Sequence, residues 1–508
     1  MRKALDHITS PRTARRPGPV LAPTDALLIH GGDARLALDP IDGFNRYGCP
    51  PKPVTRGVDF ASSTASIISK PAYAAVDALR RSLDTACARE AAPAVYAREL
   101  DALRGELKAL NGLSDLPGLE IAFAASGTDL HLIVAELVGG EPASPLLCLA
   151  VEAEETGSGV PQALCGRHFS DRAALGDAVP PGEVIGGGAS AFVAVPARTS
   201  DGALRDGAEI EAELDALVLE ASRAGRRVLL TVADVSKTGL IAPGLDVVMA
   251  LRHRFPRTLE VLVDACQFRL APATLRAYLD AGLMVAVTGS KFITGPTFSG
   301  ALFIPAAVGE RLRDRLLKPA FGLYSARAEW PKDWTVGAAL PQAANFGLLL
   351  RWRAAMVELA AFRGLAESRV AGFLSAFADA VEARLAVDPM FEPVATRALD
   401  RRAIGAAKGW DATPTIFPFR LRAGAGDGLL SAPAVQAVYQ SLRRAGVRLG
   451  QPVTCGLRDG APTTALRLCA SARLVVEALG EGGVGAEVVI GRALCALDAA
   501  GAAARAQA

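Results

Sequence analysis

No two of the eight cysteines form a Cys-x-x-Cys pair, and none of the five histidines falls in a His-Glu-x-x-His spacing. The first absence removes zinc-ribbon and thioredoxin-type readings, and a disulfide framework does not suit a chain of 508 residues. The second removes the common metalloprotease pattern, so a metal-free protein of a reducing, cytoplasmic compartment is expected. Long apolar runs are missing too. The nearest approach to the roughly 18 residues of a membrane span, Phe346 to Phe362, is broken by Arg351, Arg353 and Glu358. Charge of one sign is not in excess: 55 Lys and Arg stand against 53 Asp and Glu, which gives nucleic acid or an anionic membrane no electrostatic hold. The opening MRKALDHITSPRTARRPGP is basic but lacks a continuous apolar segment, so it reads as a loose arm rather than a secretory signal. There is no internal repeat.

What remains is a globular, rather apolar chain, 51% hydrophobic and 21% charged, long enough for two or three domains. Pro71 to Leu110 has helical spacing. From Glu120 onward, short runs of Val, Ile and Leu alternate with amphipathic stretches: Ile121–Ala125, Leu146–Val151, Ala191–Val195, Arg227–Asp234, Val261–Asp264 and Leu283–Val287 read as strands. That alternation predicts an α/β domain whose mostly parallel sheet is covered on both faces. Such sheets carry their chemistry beyond the carboxyl ends of the strands. Phe346 to about Leu385 reads as helical, followed by strands at Thr415–Leu421 and Thr464–Leu468 and helices at Ala432–Ala445 and Leu474–Leu497, a smaller α+β pattern. The expected division is an arm over 1–60, a large domain over 61–345 and a small C-terminal domain over 346–508. The alanine-rich tail is expected to fray.

The chemistry concentrates in Thr288–Ile304, TGSKFITGPTFSGALFI, and in Val261–Gln267, VLVDACQ. Lys291 follows one apolar strand and opens a loop punctuated by glycine and proline. Asp264 ends another strand, 27 positions earlier. A carboxylate that keeps a pyridine nitrogen protonated and a lysine that holds an aldehyde as a Schiff base are what pyridoxal 5′-phosphate chemistry requires. Ser126-Gly127-Thr128, between a strand and the helix that begins at Asp129, offers backbone N–H groups and hydroxyls to a phosphate, although the same residues also make an ordinary helix cap.

The lysine loop resembles that of fold-type I enzymes of the class V aminotransferase and cysteine desulfurase-like superfamily, with Thr288-Gly289-Ser290-Lys291 in the place of their Ser-Gly-His-Lys stretch. VDACQ similarly resembles their Val-Asp-x-x-Gln motif. The resemblance covers about 120 to 305. It implies Lys291 and Asp264 as catalytic residues, and Ser126, Gly127, Thr128, Thr288 and Ser290 around the phosphate. It places Gln267 and Ser236 at the phenolic oxygen, the former equally readable as a polar helix-start residue. Thr156 falls where relatives stack a histidine on the ring, and no aromatic stands there; His168 is too far along the chain. Lys237 beside Ser236 reads as a surface lysine. Arg467, in LRLCAS, resembles the arginine that holds a substrate α-carboxylate.

The expected activity is that of an aminotransferase acting on a small amino acid. A C–S lyase or cysteine desulfurase is the enzymatic alternative, with Cys455 as the loop thiol and Cys266 as packing. A cofactor-fold protein without catalysis is the other. The resemblance also implies a homodimer, and the aromatic segment with Tyr324, Trp330, Trp334 and Trp352 is expected to supply an interface or lid, Ala320 to Asn345 lining the neighbour's site.

Overall fold

The computed structural model describes residues 21–54, 57–139, 145–187, 190–424 and 428–507. The basic opening segment therefore lies outside the described residues. In chain order the strands are β1 (Val58–Phe60), β2 (Glu120–Ala124), β3 (Leu147–Ala150), β4 (Ala191–Ala194), β5 (Val228–Asp234), β6 (Ile241–Ala242) and β7 (Leu259–Ala265). They continue with β8 (Met284–Thr288), β9 (Gly300–Ile304), β10 (Phe391–Pro393), β11 (Ile416–Leu421), β12 (Val447–Arg458) and β13 (Ala461–Cys469).

Eight strands form one sheet in the order β2-β9-β8-β7-β5-β3-β4, with β6 paired to β5. β4, β3, β5, β7 and β8 run parallel. β9 is antiparallel to both β8 and β2, which turns β2 back into the common direction. Side chains of successive strand residues point to opposite faces, and both faces here are dry. Ile121, Phe123, Leu149, Leu230, Val263 and Val285 enter one core. Ala122, Ala124, Cys148, Leu229, Leu262 and Met284, their alternates, enter a second. This is why the strands read as continuous apolar runs rather than alternating ones. Burying a side chain of the Leu or Val class contributes about 1.5–3 kcal/mol, so the sheet is the rigid element on which the strand-end loops are mounted.

A second sheet, ordered β1-β12-β13-β11-β10, contains an element the sequence did not suggest. The segment around Cys455, expected to be a loop, is part of a bulged strand antiparallel to β13. Bulges absorb its glycines without ending the pairing. β1 pairs parallel with β12, so part of the segment expected to be an arm is an edge strand of the C-terminal sheet. Two further helices, Phe346–Arg363 and Glu367–Val387, follow the large sheet. The C-terminal helical stretch is two helices, Ala472–Leu479 and Ala486–Arg505. The second does not fray as expected, because Ala500 and Ala504 pack into the core.

The aromatic segment also departs from expectation. Trp330, Trp334, Trp352 and Tyr324 are all buried within their own chain. Trp330 donates its indole N–H to Ser325 Oγ, and Trp352 donates to the Gly300 carbonyl. The rings serve packing inside the chain, and that argument for a dimer interface falls. No helix of the described residues is long and apolar enough to cross a membrane.

Candidate active site

The carboxyl ends of β2, β5, β7 and β8 open on one cavity of about 210 Å³. Ser126, Gly127, Thr128, Asp264, Thr288, Ser290, Lys291 and Arg467, all expected from the sequence, line it. The lysine loop gets there by close packing. A Cβ on Gly289 would stand 2.4 Å from Ala355 Cβ, and one on Gly295 would stand 2.6 Å from the same atom. Both glycines are needed because the loop lies directly on the helix Phe346–Arg363. The same loop holds Thr294 at φ 65° and Phe298 at φ 72°, a left-handed backbone disfavoured for side chains of this size. Buried Arg351, donating to the carbonyls of Phe298, Leu28 and Gly31, fixes this geometry.

Lys291 is half-buried, and no described residue accepts a hydrogen bond from its amine. Burial pushes its pKa down, an effect that Cys266 and Asp264 oppose. Asp264 shows the reverse balance. Burial works to raise its pKa, but the charge of His131, the Cys266 thiol and the charge of Lys291 hold it well below the ordinary carboxylate value. His131, which sequence reasoning missed, stands on the helix Gly127–Val138 with Nε2 3.4 Å from Asp264 Oδ2, an ion-pair separation rather than a hydrogen bond. Its Nδ1 lies 2.7 Å from the Gly127 carbonyl and donates to it. Within an apolar helix a histidine reads as packing, so its only signal was the turn it occupies beyond Ser126-Gly127-Thr128.

The helix start forms an anion cradle. Ser126 caps the helix, its Oγ accepting from the Asp129 amide and donating to Asp129 Oδ2 at 2.5 Å. Arg35, from the segment read as an arm, reaches the same place, with Nη2 3.4 Å from both Ser126 Oγ and Thr128 Oγ1. It is clamped by Asp33 and lies 4.6 Å from the Phe298 ring centroid. A cation over an aromatic face and beside a carboxylate stays charged. Burial raises the pKa of Asp129 to about 7, and Asp33 adds to the rise. On the lysine loop Thr288 Oγ1 donates to the Cys266 carbonyl at 2.6 Å, leaving Ser290 beside it with only a 3.4 Å contact to Thr288.

Opposite the cradle, Arg467 crosses from β13. Nη2 donates to Gln451 O (2.7 Å) and Thr64 Oγ1 (3.0 Å), and Nη1 to Lys237 O (3.3 Å). A Cβ on Gly450, its partner across the ladder, would fall 2.6 Å from Ser63 Oγ and 3.1 Å from Arg467 itself, so only glycine leaves room there. Lys237 is not the surface lysine expected. It lines the cavity, donates to the Ala153 carbonyl at 2.8 Å, and burial together with Arg467 and Lys291 lowers its pKa to about 8.

Three expected residues are not brought to the cavity wall. Ser236 spends its hydroxyl on Glu155 at 2.6 Å, inside a buried cluster with Thr238 and Arg198. Gln267 donates to the Ser63 carbonyl, and its Oε1 has no partner. Thr156 is buried behind Gly157 and Ser158, which do line the cavity. Cys455 lies on β12 rather than on a loop; it is buried, and burial raises its thiol pKa to about 11. Cys266 reaches the lining, but burial pushes its pKa well above the ordinary thiol value.

Ser63 Oγ, His131 Nε2 and Arg467 Nε all belong to the lining and are buried without hydrogen-bond partners. A buried orphan costs about 1–3 kcal/mol. Their convergence, with the cradle, Arg467 and an unpartnered amine around them, fits a polyanionic, ring-sized ligand. Among the described residues no group of acidic, histidine or cysteine side chains has the form of a metal site.

No protein-family profile matches the chain, and no curated protein matches it in sequence. Solved structures do match in fold. The cystine C–S lyase C-DES, in complex with its product cysteine persulfide, superposes with a TM-score of 0.54 at 17% identity, over 87% of this chain and 97% of that one. A C-DES mutant with glycine covalently linked to its PLP cofactor gives 0.52 at 17% identity, over 86% and 96%. The fold-type I architecture implied by the lysine loop is the architecture of the chain.

Proposed function

We propose that the protein is a pyridoxal 5′-phosphate-dependent enzyme acting on a small amino acid, and that it works as a lyase, eliminating a group from the β-carbon. The observation that carries the cofactor reading is the placement of Lys291 and the Asp264–His131 pair in one cavity with an anion cradle. When bound, the cofactor supplies an aldehyde for amines and a ring that accepts an electron pair. Lys291 Nζ would hold the group and, when free, would take the proton from the substrate α-carbon; its lowered pKa favours the free base this needs. Asp264, kept ionised by His131, would hold a proton on the ring nitrogen through a charge-assisted hydrogen bond. Ser126, Thr128, Ser290, Arg35 and the amides of the helix Gly127–Val138 bind the phosphate. Arg467 orients the α-carboxylate with a planar fork.

Lyase rather than aminotransferase is favoured by the likeness to the C–S lyase over nearly its whole length. A desulfurase that carries sulfur on its own cysteine is disfavoured, because Cys455 and Cys266 are buried with raised pKa values. We also infer a homodimer in the cytoplasm, in keeping with eight free cysteines; its interface is formed by surfaces other than the aromatic segment.

The test is made on the purified holoprotein. Borohydride trapping should place the cofactor on Lys291, and Lys291→Ala should lose attachment and turnover while keeping its circular dichroism. Release of a keto acid and ammonia without any amino acceptor supports the lyase. Dependence on an added keto acid would return the assignment to aminotransferase.

A further inference from the structure

Two cations on the cavity wall, Lys237 and Arg46, form no ion pair with a described residue. Arg35, Arg46, Lys237, Lys291 and Arg467 line it against one carboxylate, Asp264. Arg35 is matched by Asp33, and Asp264 by His131. On the reading above, Lys291 holds the cofactor, Arg35 faces its phosphate and Arg467 takes the α-carboxylate, which leaves Lys237 and Arg46 without an assigned ligand group; Glu155 and Glu154 act on Lys237 by charge but form no ion pair with it.

Both belong to the Arg467 wall. Arg46 O accepts from Gln451 Nε2 at 3.0 Å, Gln451 O accepts from Arg467 Nη2, and Lys237 O accepts from Arg467 Nη1. The Lys237 ammonium has three donors and one described acceptor, the Ala153 carbonyl. The nearby carboxylate of Glu155 is taken by Arg198, Ser236 and Thr238. Arg46 is exposed at the cavity's edge and has no described acidic partner. A lysine held in a partly desolvated wall without a carboxylate is costly unless the ligand brings the missing charge.

We infer that the substrate is an amino acid with a second anionic group on its side chain, and that Lys237 and Arg46 bind that group. This rests on the proposed function and narrows it to acidic amino acids: carboxylates, sulfonates or phosphates. Lys237 is thereby a specificity residue, not a participant in proton transfer.

The experiment is a titration of the holoprotein, read by the change in its visible absorption rather than by turnover. L-aspartate, L-cysteate and O-phospho-L-serine are compared with L-alanine and L-serine. At least one acidic ligand should bind ~10-fold or more tightly than its neutral counterpart. Lys237→Met and Arg46→Met should each reduce that preference and leave the affinity for L-alanine and the cofactor content unchanged. Equal affinities for neutral and acidic ligands in the wild type overturn the inference, and so does loss of cofactor from Lys237→Met, which would assign the lysine to the phosphate. A wild-type protein that takes up no cofactor, visible before any amino acid is added, fails the underlying reading and this one with it.

Discussion

His131 Nε2 faces Asp264 Oδ2 at 3.4 Å while His131 Nδ1 donates to the Gly127 carbonyl. With Nδ1 committed as a donor, a neutral ring would present a lone pair to the carboxylate. The pair is favourable only when the ring carries both protons, and Asp264 accordingly raises the histidine pKa against the opposing effect of burial. The helix Gly127–Val138 and the carboxylate at the end of β7 are thus coupled by charge.

Replacing that charge should be measurable. His131→Gln keeps a polar side chain but removes the cation, so Asp264 should titrate at higher pH and turnover should fall about 10-fold or more, one pKa unit being a tenfold change. The check is kcat against pH together with the visible spectrum. An unchanged profile would leave His131 a packing residue.

Asp129 predicts a pH dependence of cofactor affinity. Its pKa is raised to about 7, so it is neutral in the acid range and becomes an anion beside the cradle as pH rises through about 7. The added negative charge repels phosphate, so affinity should be higher at pH 6 than at pH 8. Asp129→Asn should flatten the curve. Equilibrium dialysis of cofactor across that range decides it, and an affinity that rises with pH would contradict the assignment.

Arg467→Lys keeps the charge and loses the fork. Because charge-assisted hydrogen bonds are worth about 1.5–3 kcal/mol, KM for the amino acid should rise on the order of 10- to 100-fold with a smaller change in kcat. A fall in kcat alone would assign Arg467 to the reacting centre instead.

Cys455→Ala should leave turnover within about twofold and cost about 1 kcal/mol of stability, the usual scale for a small buried truncation. Loss of activity with retained cofactor would revive the desulfurase reading.

Legibility in the sequence followed the sheet. Lys291, Asp264, Thr288 and Ser126 were readable because each ends or follows a buried strand, where the apolar run announces the position. Arg467 was readable through the resemblance of LRLCAS to a carboxylate-binding segment at a strand end. Arg35, Tyr47 and Thr64 were not, because they reach the cavity from irregular chain that offers no period to place them. Lys237 was misread for a simpler reason: a lysine in a glycine-bearing loop is ordinarily solvated, and only the tertiary approach of Arg467 buries this one. Ser236 failed through competition, since a buried Glu155 two loops away claims its hydroxyl.

The pairing of β1 with β12 has a consequence in time. Asp59 of one strand meets Arg448 of the other across 389 positions of chain. Residues just past β1, Ser63 and Thr64, form the cavity wall against Gly450 and Arg467. At synthesis rates of about 5–20 residues per second, β1 waits on the order of 20–80 s for its partner. Until then the large sheet can form, but the chamber has one wall missing. Ribosome-stalled chains that end before Val447 should therefore be cleaved by protease near Thr64, and released full-length chains should not be.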